Sequence, residues 1–150
     1  MNRYMLEALE EAKKAQAIGE VPIGAIIEKD GEIIGRGHNM TESLKDPTAH
    51  AEMMAIKDGL KNTGGYRLTG CNMYVTVEPC TMCIGALILS RISKLYIGAM
   101  DQKAGACGSV FNIPIEEKLN HTIEIHTGIM KDECQKIIKD FFKQIREDNK

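Results

Sequence analysis

Asn72-Met73-Tyr74-Val75-Thr76-Val77, followed at once by Glu78-Pro79-Cys80-Thr81-Met82-Cys83, decides how this 150-residue chain is read. The first six residues are largely β-branched, aromatic or apolar, the composition of a buried strand, and Glu78-Pro79 stops it. Ile84 to Leu89, with Gly85 and Ala86, is apolar on almost every side, which predicts a buried helix. Lys94 to Ala99 is strand-like again. Strand, helix, strand with a helical crossover favours parallel pairing.

Upstream, Asn2 to Ile18 places Met5, Leu6, Leu9, Ala12 and Ala15 at three-to-four spacing between charged residues, an amphipathic helix ended by Gly19. Val21 to Glu28 and Glu32 to His38 are β-prone runs joined by Lys29-Asp30-Gly31, and Asp-Gly favours a tight hairpin. Asn39 to Asp46 reads as a loop. Pro47-Thr48 signals a helix start close to His50, and Asn62-Thr63-Gly64-Gly65 ends that helix. Downstream, Met100 to Pro114 is irregular and glycine-rich, His121 to His126 is a short strand, and Ile129 to Ile145 is an amphipathic helix. Met130, Cys134, Ile137, Ile138, Phe141, Phe142 and Ile145 form its apolar set. The resulting order is α-β-β-α-β-α-β, then a strand and a helix. It implies an α/β fold with a mixed sheet covered by helices.

The length and 43% hydrophobic content suit one domain over residues 1–150. Met1 to Glu20 lacks the apolar run of a signal peptide, and no stretch of about 18 apolar residues could span a membrane, so a cytoplasmic protein is expected. Five cysteines, an odd number with Cys80 and Cys83 three apart, argue against a disulfide framework. The formal charge of −2 gives no overall attraction to nucleic acid.

Cys80-x-x-Cys83 at a helix start converges two sulfurs, and the partial positive charge of the helix N-terminus favours their thiolate forms. His50, at the start of the preceding helix, supplies a third ligand. Three protein ligands leave the fourth tetrahedral position of zinc open, whereas a structural site would close it. Zinc lowers the pKa of a bound water to about 7, and Glu52, two residues past His50, is free to carry protons. Alone, Cys-x-x-Cys would equally fit a redox pair or two core thiols. His-x-Glu together with Pro-Cys-x-x-Cys selects catalytic zinc.

Around that motif, Val21-Pro22-Ile23-Gly24-Ala25, Asp46-Pro47-Thr48-Ala49-His50-Ala51-Glu52, Tyr66-Arg67-Leu68, Tyr74 to Cys80, Ser90-Arg91-Ile92, Gly105-Ala106, Gly108-Ser109, Asn120-His121 and Asp132-Glu133-Cys134 carry a resemblance over almost the whole chain. The sequence resembles the bacterial tRNA-specific adenosine deaminases. The resemblance implies a three-layer α-β-α, cytidine deaminase-like fold with a mixed five-stranded sheet and helices on both faces. It also implies one zinc per subunit on His50, Cys80 and Cys83, and conversion of the wobble adenosine of an arginine tRNA anticodon to inosine.

In that reaction Glu52 would serve as base and acid, moving a proton from water to ring nitrogen 1 while carbon 6 is attacked and ammonia leaves. By the same resemblance Asn39 and the backbone of Ala51 would read the base, and Val21 and Pro22 would wall the pocket. Asp101, Lys103, Asn120, Phe142 and Arg146 would contact flanking nucleotides of the anticodon stem-loop. A homodimer is implied as well. The residues themselves allow blander roles: a loop cap for Asn39, a turn cap for Asp101 and core packing for Phe142. Cys71 and Cys134 read as core thiols, and Glu78 as either a solvated strand end or an orienting partner of the zinc-site loop. Cys107, Met100 and Gln102 depart from the family pattern, Met100 by replacing a cation beside the RNA path. Two rival functions are a free nucleobase or nucleoside deaminase on the same fold, and a noncatalytic zinc-stabilised nucleic-acid-binding domain.

Overall fold

Asp30 and Gly31 both take positive φ, 51° and 86°, and so close the tight turn that the Asp-Gly pair predicts. A computed structural model describes residues 2–150. In chain order the elements are α1 (Arg3–Ala17), β1 (Gly24–Lys29), β2 (Glu32–His38), α2 (Ala51–Thr63), β3 (Asn72–Val77), α3 (Thr81–Leu89), β4 (Lys94–Ala99), a 3-10 turn (Ile113–Ile115), β5 (Glu124–His126) and α4 (Lys131–Asp148).

The five strands form one sheet in the order β2-β1-β3-β4-β5. β1 is antiparallel to β2 and β3, while β3, β4 and β5 run parallel, so the crossover through α3 has the expected sense. One face carries α1 and α4 over Met5, Leu9, Ile26, Tyr74 and Cys134. The other carries α2 and α3 over Ile27, Met73, Val75, Ile84, Leu87 and Ile97. Mixed sheet and helices on both faces are as expected.

Several boundaries differ from the sequence reading. β1 begins at Gly24, because Val21-Pro22-Ile23 makes a tight turn closed by the Ile23 N–H on Val21 O at 2.9 Å. β5 keeps only Glu124–His126 of its expected six residues. Pro47-Thr48 is not a first helical turn: Asp46 Oδ1 accepts the Thr48 N–H and hydroxyl, and α2 starts at Ala51. α3 is not buried all round. Cys83, Ile84, Leu87 and Ile88 face the core, while Leu89 is 73% exposed, so the apolar composition reflects two apolar faces.

Two glycines of β2 seat α2 against the sheet. A Cβ at Gly35 would meet Ala55 O at 2.7 Å and Gly59 N at 2.8 Å, and one at Gly37 would overlap Ala51 O and Ala55 N. The first turn of α2, which carries Glu52, therefore rests directly on the β2 backbone. Gly37→Ala is expected to push α2 off the sheet and cost about 1–3 kcal/mol of overpacking. Chemical denaturation checks this, and an unchanged midpoint would show that α2 does not depend on that close approach.

Candidate metal centre and adjoining recesses

Residues at helix N-caps normally use a side-chain oxygen to satisfy the first free N–H groups. Here the N-caps of α2 and α3 are His50 and Cys80, and neither side chain caps its own helix. Each turns toward the other instead. His50 Nδ1 lies 3.6 Å from Cys80 Sγ and 3.5 Å from Cys83 Sγ, and all three ligand atoms fall within 4.8 Å of one another.

Zinc bonds of about 2.3 Å to sulfur and 2.0–2.1 Å to nitrogen at a tetrahedral angle require an N···S separation of roughly 3.6 Å. The donor set fits zinc in both chemistry and spacing. Among the described residues this trio is the cluster able to hold a metal; Cys71, Cys107 and Cys134 are buried elsewhere, as expected for the first and last.

The two sulfurs are shifted in opposite directions. Hydrogen bonds from Cys83 and His50 hold the Cys80 thiol down at about 3 against the opposing effect of burial. Cys83 is pushed upward by its hydrogen bond to Cys80, by burial and by the charge of Glu52. The hydrogen bond to Cys80 raises His50. Two anionic sulfurs side by side in a half-buried pocket repel without a cation between them, and a divalent ion removes that conflict.

Glu52 occupies the first turn of α2, only 4% exposed, with its carboxyl against Cys83. Burial raises that carboxyl to about 7, close to where a group that both takes and gives protons works best near neutrality. His50, Ala51, Glu52, Cys80 and Asn39 line one cavity of about 170 Å³ at the carboxyl end of β3. Asn39 is buried and donates through Nδ2 to Val21 O across a long 3.5 Å.

A second recess of about 490 Å³ shares Ile23, Val77 and Asp101 with the first and continues to Val21, Lys103 and Phe142. Phe142 is 42% exposed, so core packing does not account for it. Asp101 also caps its turn, accepting the N–H groups of Lys103 at 3.0 Å and Ala104 at 3.3 Å. Pro22 is buried outside both linings. Asn120 and Arg146 are exposed and belong to neither.

The sequence reading missed Ile23, Thr41, Val77 and Ala104 in the first lining. In the second it missed Gln135, Ile138 and Lys139, which share one face of α4 with the expected Phe142. Their i, i+3, i+4, i+7 spacing was the available signal, a mixed polar and apolar face beside the apolar stripe.

Over residues 1–99 the chain matches the cytidine and deoxycytidylate deaminase zinc-binding region. A Bacillus subtilis (strain 168) protein named tRNA-specific adenosine deaminase is 46% identical over 147 residues, 98% of this chain and 91% of the relative. A solved tRNA:A34 deaminase, studied for A-to-I editing at the wobble position of transfer RNA, superposes with a TM-score of 0.86 at 41% identity, covering 89% of this chain and 97% of that one. A solved guanine deaminase from Bacillus subtilis gives a TM-score of 0.64 at 30% identity, covering 98% of this chain and 95% of that one.

His50→Ala is expected to reduce bound zinc from one per chain to a small fraction, measured by elemental mass spectrometry, while Cys107→Ser leaves it at one. Full zinc in His50→Ala would remove His50 from the ligand set.

Proposed function

The chain belongs to the zinc-binding cytidine and deoxycytidylate deaminase family and, within it, to the tRNA-specific adenosine deaminases, and from that premise we propose that it converts the wobble adenosine of an arginine tRNA anticodon to inosine. The observation that carries this reading is the placement of Glu52 in the same small cavity as His50 and Cys80, two of the three clustered donors, with a wider recess beside it. Zinc held by those donors supplies the Lewis acidity that makes water nucleophilic near neutral pH.

Glu52 takes a proton from the attacking water and delivers it to adenine ring nitrogen 1 as carbon 6 is attacked; the second proton of that water then passes through Glu52 to the amino group, which leaves as ammonia as the carbon 6 carbonyl forms. Its burial and its raised pKa support both roles. Asn39 and the Ala51 backbone bind the base in the small cavity. Val21, Asp101, Lys103 and Phe142 receive flanking nucleotides in the wider recess, where Lys103 and Lys139 add local positive charge that the net charge conceals. Asn120 and Arg146, both exposed, contact the stem-loop outside the two recesses. An anticodon base is already unpaired, so turning it into the cavity costs less than extracting one from a duplex.

The whole of residues 1–150 is read as one deaminase domain acting in the cytoplasm. No described helix is long and apolar enough to cross a membrane. Exposed Leu89, Val110, Phe111 and Ile115 support a homodimer.

The guanine deaminase likeness makes a free nucleobase the competing substrate. Incubation with tRNA bearing adenosine at the first anticodon position, beside free guanine, cytosine, cytidine and adenosine, separates the two by nucleoside mass spectrometry. Inosine in the anticodon is expected; turnover of the free compounds alone would overturn the reading. Glu52→Ala is expected to retain zinc and lose about 10²–10⁴-fold in turnover, and a variant with undiminished turnover would remove Glu52 from proton transfer.

A further inference from the structure

Glu78 follows β3 two residues before Cys80, and its side chain is bound by the loop that follows β4. Of the two roles open to it from sequence, the solvated one is excluded, since the residue is 3% exposed. Its Oε1 accepts the Asp101 N–H at 2.9 Å and the Ser109 hydroxyl at 2.5 Å. Its Oε2 accepts the N–H groups of Cys107 at 2.8 Å and Ser109 at 3.1 Å. Four donors from one nine-residue loop fill the roughly four acceptor positions that a carboxylate offers.

That saturation leaves Glu78 no free lone pair for a substrate, although it borders the small cavity. The same loop supplies Asp101 and Ala104 to that cavity and Asp101, Gln102 and Lys103 to the wider recess. The loop is also tied to the start of the zinc-binding segment, with the Ala106 N–H on Pro79 O at 2.9 Å. Gly105 leaves room for the clasp: a Cβ there would coincide with the Glu78 carboxyl group. The φ of Gly105 is not in the left-handed region, so the glycine answers to the carboxylate and not to the backbone.

We propose that Glu78 is a positioning residue for substrate recognition, a buried carboxylate that holds the 101–109 loop in the shape that walls both recesses. The inference rests on the RNA deaminase reading for what the loop receives, and on geometry alone for the clasp. Glu78→Gln places an amide NH₂ opposite either the Asp101 N–H or the pair of N–H groups from Cys107 and Ser109. At least one loop N–H then loses its acceptor. The zinc donors lie at the N-caps of α2 and α3 and in the first turn of α3, outside the loop, so zinc content should not change.

Amide hydrogen exchange and steady-state kinetics on the zinc-loaded protein test this together. In Glu78→Gln the amides of residues 101–109 should exchange about ten- to hundred-fold faster, the loss expected for a hydrogen bond to a charged acceptor. KM for an anticodon stem-loop RNA should rise about ten-fold with kcat within about three-fold, the pattern of lost uniform binding. Gly105→Ala, which displaces the carboxylate and keeps Glu78, should reproduce both effects, and keeps the test available if Glu78→Gln does not fold.

Unchanged exchange, or faster exchange with unchanged KM, overturns the proposal, as does a fall in kcat alone, which would make Glu78 a proton carrier. Absence of RNA turnover in the unaltered protein instead overturns the functional reading, and the exchange comparison then decides the clasp by itself.

Discussion

Two helices begin side by side and neither uses its N-cap side chain as a cap. A lost cap costs on the order of 1 kcal/mol, so α2 and α3 each forgo local stabilisation for the meeting of His50 with Cys80 and Cys83. The sheet is what makes the meeting possible. β3 feeds α3 directly through Glu78-Pro79, and β2 holds α2 by close backbone approach at Gly35 and Gly37. The helix starts that result bring free N–H groups and partial positive charge to a site whose ligands and substrate groups are electron-rich. Displacing either helix by an ångström would spoil the nitrogen–sulfur spacing that fits a tetrahedral ion.

Beyond the metal donors, the site divides labour by size. A cavity of about 170 Å³ is lined by Glu52, His50 and Cys80, and a recess of about 490 Å³ opens beside it between the 101–109 loop and α4. The small space suits one heterocycle and limits water around the proton carrier. The larger space, with Lys103, Lys139 and the exposed ring of Phe142, suits a backbone phosphate and a stacked base. Buried carboxylates secure the loops on either side. Glu20 accepts the N–H groups of Glu42 at 3.3 Å and Ser43 at 2.7 Å in the loop after Asn39, as Glu78 does for the loop after β4.

Much of this was legible from residue order because local chemistry and tertiary packing agree. Glu32–His38, Asn72–Val77 and Lys94–Ala99 emerge with the bounds their composition predicts, and the Asp-Gly turn fixes the hairpin. The metal trio was readable because cysteine and histidine at helix starts have few other uses. What escaped the sequence is decided at a distance. Gly35 and Gly37 look like weak strand residues until α2 lies on them. Glu78 finds its four donors 23 to 31 residues away. The exposed Leu89 shows that apolarity alone does not say which face of α3 meets the core. Val21-Pro22-Ile23 has strand-forming composition, but proline and a local turn end the ladder at Gly24.

The proposed chemistry depends above all on an open three-ligand zinc centre beside Glu52. X-ray absorption at the zinc edge of the purified protein tests that centre without reference to any substrate. It should show two sulfur neighbours at about 2.3 Å and two nitrogen or oxygen neighbours at about 2.0–2.1 Å, one of the latter exchangeable with solvent. Three or four sulfur neighbours, or a shell of four protein donors with no exchangeable position, would contradict it.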